Sequence, residues 1–197
     1  MLPYKVTADF ENALAKYTGA KYAVAVNSCS AALLLCCQYF QPRTTITIPK
    51  RTYVSVPCAI KSAGHDVAFI ERNWRGEYRL DPLPVWDCAR RMTSGMYKPG
   101  DYLCLSFAAS KILAAEQGGA ILHDNAEADK WFRRMRFDGR TEGVDAMEDT
   151  FDLIGHHCIM IPSIAATLLV RLHHLPKHNE DLPEREYPDL SKHPAFK

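Results

Sequence analysis

The sequence predicts an α/β fold. Short apolar or β-branched runs at 22–26, 44–49, 66–70 and 102–107 alternate with helical segments at 8–17, 31–39 and 125–136. That alternation is the signature of helices laid against a sheet. A second observation is the junction Asn27-Ser28-Cys29-Ser30, where a strand passes through a small polar turn straight into a helix. Open backbone N–H groups and the helix dipole favour an anion at such a turn, although a serine there is equally an ordinary N-cap. The third is Lys111, which stands between the apolar run ending at Phe107 and a second run at 120–122. An ammonium is costly to bury unless it is paired or neutralised, and a lysine that loses its proton easily can form a Schiff base with an aldehyde. A surface lysine in a strand–loop–strand remains the plain alternative.

Along the chain, Phe10, Leu14 and Tyr17 recur at helical spacing and Gly19 closes that helix. The run 22–26 is a strand, the polar turn follows, and 31–39 is an apolar helix. The β-branched run 44–49 is a strand. A helix opens around 51–55 and extends towards Gly64, and 66–70 is a third strand. Residues 73–84 are polar, contain proline and read as a loop. A short apolar piece at 84–89 ends near Asp87, Lys98-Pro99-Gly100 is a turn, and 102–107 is a strand. Residues 141–152 are acidic and loop-like, and a last helix covers 163–174.

At 197 residues the chain fits one domain with a substantial core. Its 47% hydrophobic and 24% charged content is that of a globular protein in water. A net charge of +1 gives no reason to expect nucleic acid as a partner. Seven scattered cysteines without a CxxC read as reduced thiols and so as a cytoplasmic protein. No leader is expected at the N-terminus, and the apolar runs are too short to span a membrane. His156, His157 and Cys158 are adjacent, and Pro176 separates His174 from His178, so neither cluster suits a metal.

Several pieces, in order, resemble the DegT/DnrJ/EryC/StrS sugar aminotransferases. They are Phe10-Glu11, Ser28-Cys29-Ser30-Ala31-Ala32-Leu33, Thr52-Tyr53-Val54-Ser55, Val85-Trp86-Asp87-Cys88-Ala89, Ser106-Phe107 with Lys111 and Gly118-Gly119-Ala120, Asp138-Gly139-Arg140, and 155–160. The resemblance spans about 8–175 with one internal gap and implies a fold, a cofactor and roles. The fold is a three-layer α/β/α sandwich on a mainly parallel sheet, expected here with about six strands at the usual strand spacing. The cofactor is pyridoxal phosphate, with Lys111 carrying it and acting as general base and Asp87 facing the pyridine nitrogen. Tyr53 stacks on the ring, although without the resemblance a tyrosine at a strand end is more often plain packing. Ser28, Cys29, Ser30 and Ser106 serve the phosphate.

The sequence also departs from the family. Cys29 replaces a glycine, Arg90 stands in place of a glutamine near the ring hydroxyl, and His157 and Ile159 replace an asparagine and an arginine. The asparagine reaches the neighbouring subunit's phosphate, so a homodimer with His157 in that role is implied. A strand and helix after Glu71 are missing, and direct pairing of 46–49 with 85–87 is the expected repair. The smaller C-terminal domain is absent, which leaves a large domain at 1–175 and a charged, proline-rich tail at 176–197. The implied activity is transfer of an amino group from glutamate or glutamine to a keto sugar, expected to be nucleotide-linked. The alternative is a reduced, non-catalytic relative that binds the cofactor or a sugar nucleotide, or serves as an interaction module.

Overall fold

The computed structural model describes residues 4–196, so positions 1–3 and 197 of the two sequence-assigned segments lie outside the described residues. The chain opens with helix α1 (Lys5–Thr18), which Gly19 ends at φ +82° by donating its N–H to the Ala15 carbonyl. Strand β1 (Tyr22–Val26) leads into α2 (Cys29–Tyr39). Then come β2 (Thr45–Pro49), α3 (Ser55–Ser62), β3 (Asp66–Ile70), β4 (Tyr78–Arg79) and β5 (Val85–Asp87). The remainder is β6 (Tyr102–Ser106), β7 (Gly119–His123), α4 (Ala126–Met135), α5 (Pro162–His173) and two 3-10 turns, Leu190–Lys192 and Pro194–Phe196.

Side-chain alternation along the strands divides the core into two layers. Ala23, Ala25, Leu103, Leu105, Ala120 and Leu122 face α1 and α5 through Phe10, Leu14, Ala165 and Leu168. Val24, Val26, Cys104 and Ile121 face α2, α3 and α4 through Leu33, Cys36, Ile60 and Phe132. This is the expected three-layer α/β/α arrangement. Glu11 is fixed beneath β1: it accepts the Ala25 N–H at 2.8 Å and pairs with Arg133 and Arg136. Both ends of the Glu11–Arg136 pair are buried.

The sheet itself corrects the expectation. Five strands run in the order β1-β7-β6-β5-β4, while β2 and β3 form a separate parallel pair. Only β5–β6 and β2–β3 are parallel pairings, so the arrangement is mixed rather than mainly parallel. Strand β2 does not pair with β5. Strand β4, from the segment that reads as a loop, lies antiparallel on β5 with Tyr78 opposite Asp87. Just beyond it, Asp81 bridges to Thr47 of β2 with N–H···O distances of 2.7 and 3.2 Å.

The physical reason lies in connection length. A parallel strand in that gap needs a crossover of a dozen or more residues, usually a helix, whereas an antiparallel one needs only a short turn back. The chain has only 80–84 between β4 and β5. The hairpin therefore pairs with β5 on one side of the gap and, through Asp81, with Thr47 of β2 on the other.

Candidate active site

Strands β1, β5 and β6 end at one edge of the five-stranded sheet, and β2 of the separate pair ends beside them, the place where α/β proteins bind ligands. Ser28 follows β1, Thr52 and Tyr53 follow β2, Asp87 ends β5 and Ser106 ends β6. The antiparallel strands begin at the same edge, β4 with Tyr78 and β7 with Gly119. A cavity of about 320 Å³ opens there, at the low end of the roughly 300–1,000 Å³ usual for small-molecule sites. Ser28, Cys29, Ser30, Tyr53, Asp87, Arg90, Ser106 and Lys111 all line it. His157 does not. It stands on the surface with Nδ1 2.8 Å from Asp138 Oδ2.

The turn before α2 is shaped by its neighbours. Ser28 caps the helix by accepting the Ala31 N–H at 3.1 Å, and the Ser28 carbonyl accepts from Ala32. The N–H groups of Cys29 and Ser30 are left as the orphan donors of that first turn. Ser30 Oγ donates to Ser55 Oγ at 2.6 Å, so two hydroxyls meet at the cavity wall. Gly119 lets the turn sit directly on β7, because a Cβ there would lie 2.4 Å from the Ser28 carbonyl carbon. Cys29 keeps an ordinary negative φ, so loss of the family glycine leaves this turn unstrained. Burial first, and then the neighbouring Asp87 carboxylate, push the Cys29 thiol well up. It stays a neutral packing group.

Asp87 is buried and fixed by both of its oxygens. Oδ1 accepts the Ala89 N–H at 2.9 Å, and Oδ2 accepts the Tyr78 hydroxyl at 3.0 Å. Thr52 Oγ1 lies 2.6 Å from the same phenol oxygen. An ionised carboxylate can only accept, so Tyr78 donates to Asp87 and Thr52 donates to Tyr78. Burial raises the Asp87 pKa, and the Ala89 N–H, the Tyr78 hydroxyl and the Lys111 ammonium oppose that rise.

Lys111 sits in the loop after β6, its N–H bonded to the Ala108 carbonyl. Its side chain is half-buried. Burial lowers its pKa, Asp87 and Cys29 act to raise it, and Arg90 and Arg185 lower it further. An amine shifted in that direction is the form in which a lysine acts as nucleophile or base. Tyr53 is 58% exposed and covers the cavity from the solvent side without a packing partner in either core layer.

Sequence reasoning missed Thr52, Tyr78, Ser55, Arg185 and Tyr187. Ser55 lies two residues beyond Tyr53 and had a usable signal. Tyr78 becomes visible only once β4 is seen to pair with β5. The chemistry of the set fits pyridoxal phosphate: an amine for the aldehyde, a buried carboxylate for the ring nitrogen, an aromatic face for the ring, and hydroxyls with a helix N-terminus for the phosphate.

Comparison with known proteins bears on the same residues. The model of the DegT/DnrJ/EryC1/StrS aminotransferase family matches residues 1–85 and 89–185. Residues 86–88, which include Asp87, fall between the two matched segments, so the place of Asp87 rests on the geometry above. No curated protein gives a significant match. Among solved structures, AtS13 from Actinomadura melliaura superposes with a TM-score of 0.75 at 20% identity, over 86% of this chain and 60% of that one. PseC of Helicobacter pylori, an aminotransferase involved in the biosynthesis of pseudoaminic acid, gives 0.72 at 19% identity, over 87% and 58%. DesI, solved in the presence of its TDP-sugar product, gives 0.68 at 21% identity, over 88% and 54%. At these identities the likeness establishes the fold. The chain spans 54–60% of the length of these three relatives.

Proposed function

Because the chain belongs to the DegT/DnrJ/EryC1/StrS aminotransferase family, whose cofactor is pyridoxal phosphate, we propose that it is itself an aminotransferase. It moves an amino group from glutamate or glutamine to a keto sugar, and that sugar is nucleotide-linked. The observation that carries this reading is that Lys111, half-buried with a lowered pKa, and the fixed carboxylate of Asp87 line one cavity at the sheet edge. A mere scaffold needs neither. The description of DesI with its TDP-sugar product supports the nucleotide linkage by analogy.

When bound, the cofactor supplies an aldehyde and a pyridine ring that acts as an electron sink. Lys111 is the amine for that aldehyde. Its Nζ would also serve as the general base, taking the proton from the substrate carbon and holding it for return. Asp87 would keep the ring nitrogen protonated, and the hydroxyl of Tyr78 opposes the rise that burial causes in the Asp87 pKa. Tyr53 fixes the plane of the ring from the solvent side. The N–H groups of Cys29 and Ser30 and the hydroxyls of Ser30, Ser55 and Ser106 hold the phosphate, while Ser28 keeps the turn in shape. Arg90 meets anionic groups at the mouth.

The same reading includes a cytoplasmic homodimer. Its supports are the cysteines, all unpaired, and the exposed His157, set by Asp138 to donate to a neighbour's phosphate. No helix among the described residues is long and apolar enough to cross a membrane.

One observation favours the non-catalytic reading: β2 and β5 stand apart with β4 between them. Against it, Asp87 still lines the Lys111 cavity. Absorption spectroscopy of the protein loaded with pyridoxal phosphate separates the two. Glutamate should convert the visible band of the bound aldehyde form to the ultraviolet band of the amine form. A visible band that glutamate leaves unchanged over many minutes contradicts catalysis with this donor.

A further inference from the structure

The segment 177–196, charged and rich in proline, lies across the face of the site, and two clasps hold it. At the first, Arg91 grips Asp181 with both arms, Nε to Oδ1 at 2.8 Å and Nη2 to Oδ2 at 2.7 Å. The Leu182 N–H bonds to the Arg90 carbonyl at 3.0 Å, and Arg90 Nη2 donates to the Pro183 carbonyl. Gly76 permits this approach, since a Cβ there would lie 2.2 Å from Asp181 Oδ2. At the second, Asp189 bridges to Arg51 and pairs with Lys50 at 3.3 Å, the Leu190 N–H bonds to the Lys50 carbonyl at 2.9 Å, and Leu190 is 2% exposed. The first clasp follows β5 and the second follows β2, so the clasps stand on either side of the Asp87–Tyr53 edge.

Between the clasps, Tyr187 stacks on Trp74 with ring centroids 6.0 Å apart and planes at 18°. Arg185 and Tyr187 line the Lys111 cavity. They also line an adjoining cleft of about 500 Å³ with Arg51, Arg75 and Arg90. Arg51 is paired with Glu71. Among the described residues, Arg75, Arg90 and Arg185 have no carboxylate within ion-pair distance, although they face one opening. Glu71, Glu184 and Glu186 also line the cleft, but none of them engages these three guanidinium groups, which stay available to an incoming oxyanion through charge-assisted hydrogen bonds.

We propose that residues 181–189 form a strap across the mouth of the site, and that its Arg185, with Arg90, is the receptor for the substrate oxyanion that enters towards Lys111. The oxyanion is the carboxylate of the amino donor or a phosphate of the sugar substrate. This rests on the aminotransferase reading and deepens it. Arg185 is exposed and its backbone is held by the clasps on either side, so its replacement should leave the fold unchanged.

The test uses the protein loaded with pyridoxal phosphate and two probes, glutamate for a carboxylate and UDP for a nucleoside diphosphate, titrated by calorimetry. Arg185→Ala should weaken at least one of them about tenfold or more, as loss of a hydrogen bond to a charged group does. The spectrum and affinity of the cofactor should stay unchanged, and Arg185→Lys should recover part of the loss. Loss for glutamate alone assigns the donor carboxylate, and loss for UDP alone assigns the phosphate. The double variant Asp181→Asn/Asp189→Asn, which loosens both clasps, should reproduce the loss and speed proteolysis within 183–186. Unchanged affinity for both probes in Arg185→Ala, no binding of either probe by the parent protein, or tighter binding once the clasps are loosened would overturn the proposal. A parent protein that takes up no cofactor would instead overturn the aminotransferase reading.

Discussion

Replacing Tyr78 with Phe removes one oxygen from the centre of the site and leaves the ring in place. The lost group donates to Asp87 Oδ2 at 3.0 Å and accepts from Thr52 at 2.6 Å, and all three residues are buried. A hydrogen bond to a charged group is worth about 1.5–3 kcal/mol, which as transition-state stabilisation corresponds to about a ten- to hundredfold loss in kcat/KM. The direction in pH follows from the same contact. Burial already raises the Asp87 pKa, and the Tyr78 hydroxyl opposes the rise. Without it the carboxyl accepts a proton at higher pH, so the acidic limb of the kcat/KM profile should move upward. Steady-state kinetics across pH measure both effects. Thr52→Val, which removes only the outer donor, should shift the limb less. A Tyr78→Phe variant with the parent profile and rate would refute the role of β4 as a support for Asp87.

Two further outcomes concern the scaffold. His123 is fully buried and stacked between Tyr22 and Tyr102, and burial lowers its pKa to about 4, against the attraction of Asp129 and Asp124 and aided by Arg133. The unfolded chain therefore binds the proton first. Stability from this site should be complete above about pH 6.5 and fall by about 3 kcal/mol as the pH drops towards 4; urea melts of the parent and of His123→Phe should diverge in that window, and parallel curves would contradict it. Glu11→Ala should cost about 3 kcal/mol in the same assay, the low end for a broken buried pair because Glu142 still meets Arg136 at 2.6 Å, and a loss below about 1 kcal/mol would show that the pair is not structurally important.

Much of this architecture is legible in the sequence, and what is hidden has a common cause. The helix at 8–17 and the strands at 22–26, 44–49 and 66–70 announce themselves through periodicity, which depends on neighbours in sequence. Lys111 stands out because a charged residue between apolar runs needs an explanation, and Asp87 because the resemblance puts it in the place of the family's cofactor aspartate. Strand β4 has two residues, flanked by charge and proline, and exists only because β5 and Thr47 supply its partners. No local pattern encodes that. Tyr78 is invisible for the same reason.

The segment after Pro176 was misleading in another way. Its composition reads as a solvated tail, yet Asp181 finds Arg91 and Asp189 finds Lys50 at separations of 90 and 139 residues. Ion pairs of that reach leave no trace in composition. The antiparallel repair was the least legible feature. Direct pairing of β2 with β5 was the simpler closure, but it ignored the unpaired backbone that residues 73–84 had available.

The central claim is that Lys111 is the residue that takes the cofactor, and mass spectrometry tests it most directly. The protein is loaded with pyridoxal phosphate, reduced with borohydride, digested and mapped. The modification should fall on Lys111 alone, and Lys111→Ala should give no reduced adduct while keeping a native fold. An adduct on another lysine, or none on a folded parent protein held in excess cofactor, would contradict the account.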